Sequence, residues 1–400
     1  VTAHQPPIAG HPPQAGEGIA RDRANGLEAT LVEDVDSLAP YLAGWDTLAV
    51  ERGRPFCAPG WMLAWWRASH SDRMPLRVVL VHDDGRLVGV APFFANTTCG
   101  LTELRLLGAG FSHRIGVLAR SGAEQRIAPA IAAALVSVRP ASIVFEGIDG
   151  NDPWPELMAA AWPSRRAPRL RSDGALQAPM IELNADYEAW MQRRERRFRK
   201  EAGRCSRRLE EQHVSGRIAR DERAIDALLE LHHARWDSRG GSNIDEGARA
   251  ALVAAARGLP EPDRLMVAML EGPSGPVAAE LVVRAGDAAI FWGGGFDPEW
   301  TQYAPGTQTM LLALRRLAEV GVRTADLGGG AHPYKLRLAD DTTALSWRTV
   351  FPRGWRYPLI RLRLAPKHVR LALRGAVRRM PSSWQDRLRV LRRSLGARRR

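Results

Sequence analysis

Tyr303-Ala-Pro-Gly-Thr-Gln308 opens a predicted helix from about Thr307 to Leu317, and a short strand and then Gly328-Gly-Gly-Ala-His-Pro-Tyr-Lys335 follow it. Pro305 fixes its own φ, and Gly306 lets the backbone come close to a ligand. The first free N–H groups of the helix are therefore expected to converge on one spot. A helix start of this kind attracts pyrophosphate.

The strands around this turn belong to a plan that the chain uses twice. Arg264-Leu-Met-Val-Ala-Met-Leu270 and Val277-Ala-Ala-Glu-Leu-Val-Val283 flank a Gly- and Pro-containing turn. About 190 residues earlier, Leu76-Arg-Val-Val-Leu-Val81 and Leu87-Val-Gly-Val-Ala91 flank Asp83-Asp-Gly85. Both pairs have the β-branched, turn-punctuated composition of a hairpin. A helix and another strand come later in each copy: Ile127 to Val138 then Ile143 to Glu146, and Thr307 to Val320 then Thr324 to Leu327. The chain reads as a tandem repeat of one mixed α/β domain. The expected division is a disordered leader (1–26), a first domain (27–178), a second domain (179–355) and a basic tail (356–400), with the boundary after the connector Trp162-Pro-Ser-Arg-Arg-Ala-Pro168.

Four hundred residues suffice for two such domains, each with its own core. Cys57, Cys99 and Cys205 lack the spacing of a zinc site or a disulfide framework, which favours a reducing, cytoplasmic setting. The N-terminus lacks the pattern of a signal peptide, and no apolar run is long enough to span a bilayer. The net charge of +13 is confined to one end: residues 353–400 carry sixteen Lys or Arg and a single acid, Asp386. The rest of the chain is close to neutral, so the basicity belongs to an appendage and not to the folded body.

Other helices follow from spacing. Trp61, Met62, Leu63, Trp65 and Trp66 form an aromatic-rich helix read as core packing. Tyr187 to Glu211 is expected to be one long charged helix, with Trp190, Phe198 and Leu209 too sparse for deep burial. Glu222 to Ser238 places Ile225, Leu228, Leu229, His232 and Trp236 on one face. In the tail, Val369, Leu373, Val377 and Met380, then Trp384, Leu388, Leu391 and Leu395, recur at helical spacing among arginines. That pattern suits a helix lying on an anionic membrane surface, docking on an acidic face, or disorder.

Five ordered segments of the C-terminal half carry a resemblance: Leu231 to Gly240, Val277-Ala-Ala-Glu-Leu281, Trp292-Gly-Gly-Gly-Phe-Asp297, Tyr303-Ala-Pro-Gly306 and Asp326 to Lys335. Together they resemble the GNAT-superfamily acetyltransferases of the BioF2-like and CelD-like (cellulose biosynthesis) type, relatives of the FemAB transferases. The likeness covers residues 180–352, and residues 50–150 look like the N-terminal half of the same type. It implies an α/β (α+β) fold of two tandem GNAT-like domains, each a mixed twisted sheet flanked by helices. Of these, the second holds the acyl donor and the first walls the acceptor cleft. It further implies acetyl-CoA or another acyl-CoA as co-substrate, an amine acceptor that is a small molecule or a glycan, and no metal. The usual loop of the superfamily is Gln or Arg, two residues, Gly, one residue, then Gly or Ala, and this chain keeps its first glycine.

On that resemblance Trp292, Gly293, Pro305, Gly306, Thr307 and Gln308 are the expected donor-binding residues. Tyr334 is the expected acid for the leaving thiolate, since a phenol and a thiol have comparable basicity. Glu280, inside an apolar strand, is the expected base unless strand alternation turns it to solvent. Lys335 either holds a phosphate or an acidic acceptor, or is a surface lysine. His232, Arg235 and Trp236 either border the acceptor cleft or pack in the core, and His332 either binds substrate or shapes the turn at Pro333. The reading is an N-acyltransferase, not an aminoacyl transferase, serving cell-surface polysaccharide or envelope synthesis. It is placed in the cytoplasm with peripheral membrane contact through 356–400. Two alternatives stay open. One is a FemAB-like transferase using aminoacyl-tRNA, with the Arg193 to Arg208 helix and the basic tail as RNA-binding surfaces. The other is a non-catalytic membrane-surface adaptor.

Overall fold

A computed structural model describes residues 19–20, 26–69, 74–237, 244, 247–259 and 261–365. The first half contains β1 (Ile19–Ala20), β2 (Leu27–Val32), α1 (Leu42–Glu51), α2 (Pro59–Ala68), β3 (Leu76–Asp83), β4 (Arg86–Thr98) and β5 (Leu101–Leu106). It continues with β6 (Leu118–Ala119), α3 (Glu124–Val136), β7 (Ser142–Asp149) and α4 (Trp154–Ala161). Next come β8 (Arg169–Glu182), α5 (Tyr187–Gln192), α6 (Arg196–Glu211), β9 (Ser215–Ala219), α7 (Glu222–Asp237) and α8 (Gly247–Gly258). The rest of the second half is β10 (Leu265–Gly272), β11 (Gly275–Ala285), β12 (Ala288–Phe296), α9 (Pro305–Glu319), β13 (Thr324–Asp326), α10 (Pro333–Leu338) and β14 (Asp341–Phe351). A helix over 356–365, α11, closes the described part.

The repeat is explicit in the pairing. β3, β4 and β5 form an antiparallel meander, and α3 carries the chain to β7, which lies parallel to β5. β10, β11 and β12 do the same, and α9 carries the chain to β13, parallel to β12. Each crossover helix packs its apolar stripe on its own sheet, as a parallel connection requires. The halves are not separable at Ala178. β8 runs through the expected boundary, pairing with β13 at one end and with β14 along eleven positions, while β14 in turn pairs with β7. One mixed sheet with the path β1-β2-β3-β4-β5-β7-β14-β8-β13-β12-β11-β10-β9 therefore crosses the whole molecule.

Helices join the halves on the other layer. α2 and α8 cross so closely at Gly60 and Gly258 that a Cβ on Gly258 would lie 2.9 Å from the Gly60 Cα. Arg264 makes a bidentate pair with Asp46 at 2.8 and 2.9 Å, and a single apolar cluster includes Trp61, Phe93 and Phe145 with Leu228, Leu252 and Leu281.

Two local expectations need correction. Ile19 and Ala20, placed in a disordered leader, pair with Thr30 and Ala29 of β2. Tyr187 to Glu211 is two helices, because Glu195 is extended and Arg193 and Arg194 are drawn to Asp340, with Arg194 also donating to the Leu338 and Ala339 carbonyls. Burial is also deeper than expected. Ala202 and Cys205 complete the stripe Phe198, Ala202, Cys205, Leu209 at intervals of four, three and four, and Trp190 is fully enclosed. The tail helices expected after Pro366 lie outside the described residues.

Candidate active site

β12 and β13 pair only at Ala288 to Ile290 against Thr324 to Asp326, after which they diverge. A register shift between Leu281 and Val282 places Trp292 at a bulge opposite β11. Bulges re-aim side chains in this way. Trp292 leaves the sheet toward the first half, where its Nε1 donates to the Phe111 carbonyl at 3.0 Å and its ring meets those of Phe111 and Trp61.

The three glycines after Trp292 have different reasons. Gly293 faces open space at a cavity of about 790 Å³ between the halves, walled by Trp65, Phe111, His113, His232 and Trp292. Gly294 pairs with Glu280, whose carboxylate lies over it where a side chain would sit. Gly295 lets the α7 backbone at Leu231 and His232 approach the strand. Within Trp-Gly-Gly-Gly-Phe, Gly294 and Gly295 thus permit close approaches on opposite faces of the strand, while Gly293 leaves open space.

A second cavity of about 380 Å³ lies at the start of α9 and is lined by Arg235, Glu280, Phe296, Pro305, Gly306, Thr307, His332 and Tyr334 among others. Seven of the residues singled out in the sequence meet here. Arg235 sits 4.9 Å above the Phe296 ring and hydrogen-bonds to Tyr334. His332 and Tyr334 stack at 6.1 Å. Tyr334 and Lys335 stand in the first turn of α10, which Pro333 starts. Lys335 does not line this cavity: its Nζ donates to the Gly328 and Gly329 carbonyls at 3.4 and 3.2 Å.

Electrostatics couple these groups. Burial pushes the Glu280 carboxyl up to about 7, against the opposing pull of Lys335 and Arg235. Burial and the Glu280 charge raise the Tyr334 phenol, while Arg235 lowers it. The Lys335 ammonium is lowered by burial, though Glu280 and Asp326 support its charge. Glu280 is thus poised near neutrality, the condition for a base that must take up a proton and release it again.

Several expected donor contacts differ. Ala304 adopts the left-handed conformation and caps α9, but its carbonyl already accepts from the Thr307 and Gln308 N–H groups at 3.0 and 3.2 Å. Pro305 has no N–H. The expected cradle of several free N–H groups therefore narrows to Gly306. The Gln308 side chain faces away, its Nε2 donating to the Ala202 carbonyl at 2.9 Å and tying α6 to α9. Trp292, Gly293 and His232 line the inter-half cavity and not the α9 cavity. His232 is buried, and burial with its neighbours His233 and Arg235 lowers it to about 4. Trp236 occupies its place on α7, and its side chain lies outside the described residues.

The largest element missed from the sequence is the loop before β6. It brings His113 and Arg114 from the first half beside Asp326 and Lys335. Arg114 pairs with Asp326 and Asp149 and donates to Thr343, closing the sheet behind the α9 cavity. Asp326 in turn accepts from the Gly328 N–H at 2.6 Å.

This constellation of diverging strands, helix start and Glu, Tyr and Arg side chains coincides with a match in sequence. Residues 196–336 match the acetyltransferase (GNAT) domain family. No curated protein sequence matches the chain. Solved structures do. A FemX crystal structure matches with a TM-score of 0.60 at 12% identity, covering 80% of this chain and 98% of that one. A conserved protein of unknown function from Bacteroides thetaiotaomicron matches with a TM-score of 0.50 at 11% identity, covering 81% and 99%. A tandem GNAT protein from the clavulanic acid biosynthesis pathway has a TM-score of 0.42 at 14% identity, covering 82% and 100%. At these identities the likeness is one of fold. The matched stretch 196–336 contains every residue that lines the α9 cavity.

Proposed function

We propose that the second half is an acyl-CoA-dependent N-acyltransferase acting on an amine. The observation that carries this reading is the convergence of Glu280, Arg235 and Tyr334 with the α9 start around one cavity, at the place where β12 parts from β13. An acyl-CoA suits this arrangement: the β12 edge beyond Ile290 is free of β13 for an amide-bearing arm, and Gly306 offers an N–H at a helix start to a phosphate. That is a thinner cradle than the superfamily loop provides, and Arg235 supplies the fixed positive charge nearby.

The amine nitrogen attacks the thioester carbonyl carbon, a C–N bond forms, and the C–S bond breaks. Glu280 accepts the proton lost by the nitrogen, and Tyr334 donates a proton to the departing sulfur. Arg235, hydrogen-bonded to the Tyr334 oxygen, stabilises the phenolate that results. The acceptor presents its amine in the α9 cavity, which the Glu280 carboxylate and the Tyr334 hydroxyl both line. An amino sugar or another amine of a cell-surface polysaccharide or envelope precursor is the acceptor class this reading favours.

Titration calorimetry with acetyl-CoA tests the donor. Micromolar binding that Gly306→Val abolishes supports the reading, and no binding by the intact protein sinks it in favour of a non-catalytic adaptor. A second reading, transfer from aminoacyl-tRNA, draws on α6, which exposes Arg196, Arg197, Lys200, Arg204 and Arg207. It requires tRNA binding that weakens steeply with salt.

A further inference from the structure

α11 has two apolar faces. Its inner side places Tyr357, Ile360 and Leu364 against Leu101, Ala141 and Phe351. Its outer side carries Trp355, Leu359 and Leu362, which are 71%, 46% and 75% exposed. These recur at intervals of four and three, so they form one strip on the surface.

Beside the strip is a cavity of about 680 Å³ into which five arginines converge. Arg165 and Arg166 come from the connector before β8, Arg169 opens β8, Arg353 precedes α11 and Arg361 lies within it. No carboxylate lines it, and none of the five takes part in an ion pair among the described residues. Tyr357 lies between Arg353 and Arg361, at 6.0 and 5.8 Å, and Arg356 covers the Trp355 ring at 4.7 Å.

We propose that this face docks on an anionic lipid surface, with phosphate-bearing headgroups in the arginine cavity and Trp355, Leu359 and Leu362 at the level of the upper acyl chains. Five arginines without carboxylate partners call for an anion of high charge density. A polynucleotide would answer that requirement and leave Leu359 and Leu362 in water. A lipid surface answers both, because headgroups and hydrocarbon lie within one side-chain length of each other, and tryptophan belongs at that boundary. The surface is built from two segments distant in sequence on a rigid sheet, so docking through it fixes the orientation of the whole protein. The inference is independent of the acyl-transfer reading, since it requires no activity.

The test is co-sedimentation of the full chain with phosphatidylcholine vesicles with and without phosphatidylglycerol. Binding is expected only with the anionic lipid, weakening as salt is added. Replacing Arg165, Arg166 and Arg169 together with Gln should reduce partitioning roughly a hundredfold. Leu359→Ser with Leu362→Ser should reduce it about tenfold and leave the salt dependence in place. All five positions are exposed, and an unchanged melting temperature verifies the fold of each variant. Two results with vesicles overturn the proposal, and one with RNA does so as well. One is failure of the intact protein to bind anionic vesicles. The other is binding by both variants at wild-type strength, which assigns any affinity to residues 366–400. Binding of a single-stranded RNA by a protein that ignores vesicles also overturns it and assigns the arginines to nucleic acid.

Discussion

The carboxylate of Glu280 lies directly across the strand pair over Gly294, in the space that any larger residue would fill. A Cβ at Gly294 would also come within 2.7 Å of the Ala279 carbonyl oxygen, which is backbone and cannot swing aside. Gly294→Ala should therefore displace both the carboxylate and β11. Acyl transfer should fall by about a hundredfold, the effect expected of a misplaced catalytic base, with a moderate loss of thermal stability. A variant with wild-type turnover would remove Glu280 from the chemistry.

The pH dependence follows from the same residue. With its carboxyl raised to about 7, Glu280 is protonated and idle as a base at pH 5 to 6, so the rate should climb through neutrality. The sign for stability is opposite. Because the folded state holds this proton more tightly than the unfolded chain does, stability from this group is present below the ordinary carboxylate range and is lost as pH rises through 7. Glu280→Gln should flatten the rate profile at a low level and raise the melting temperature relative to wild type at pH 8. Paired rate and melting measurements separate a catalytic from a purely structural carboxylate.

Tyr334→Phe keeps the stacking with His332 and removes the hydroxyl that Arg235 contacts. Turnover should fall by roughly one to two orders of magnitude while acetyl-CoA affinity by calorimetry changes little. An equal loss in both would recast Tyr334 as a donor-binding residue.

Arg114 and Asp326 are both buried and come from opposite halves. Arg114→Ala leaves an uncompensated carboxylate and should cost about 3–5 kcal/mol. Asp326→Asn in the Arg114→Ala background should restore part of that loss, and thermal denaturation of the single and double variants measures it. An additive pair would show that the two side chains are not coupled.

Much of this was readable before the fold was known, and the reasons are local. The hairpins at Leu76 to Ala91 and Arg264 to Val283, the Pro305 helix start and the aromatic helix at Trp61 announce themselves through periodicity and turn chemistry within a dozen residues. Glu280 stood out as a charge in an apolar strand. What escaped the sequence depends on partners far away. No spacing relates Arg114 to Asp326, nor β14 to β7. The Thr307 and Gln308 N–H groups are not free, because the Ala304 carbonyl, held by a left-handed residue, reaches them first. The break between α5 and α6 is set by Asp340, almost 150 residues on.

The pairing of β14 with β7 has a consequence for how the chain comes to be folded. Synthesis delivers β7 nearly 200 residues before the strand that covers its flank, and until residues 341–351 emerge that flank has no native partner. A ribosome-bound first half therefore waits in an incomplete state, exposed to mispairing for as long as the second half takes to appear. Expressed alone, residues 27–178 should aggregate or recruit a chaperone, whereas co-expression with residues 179–365 should rescue them by supplying the missing strand in trans.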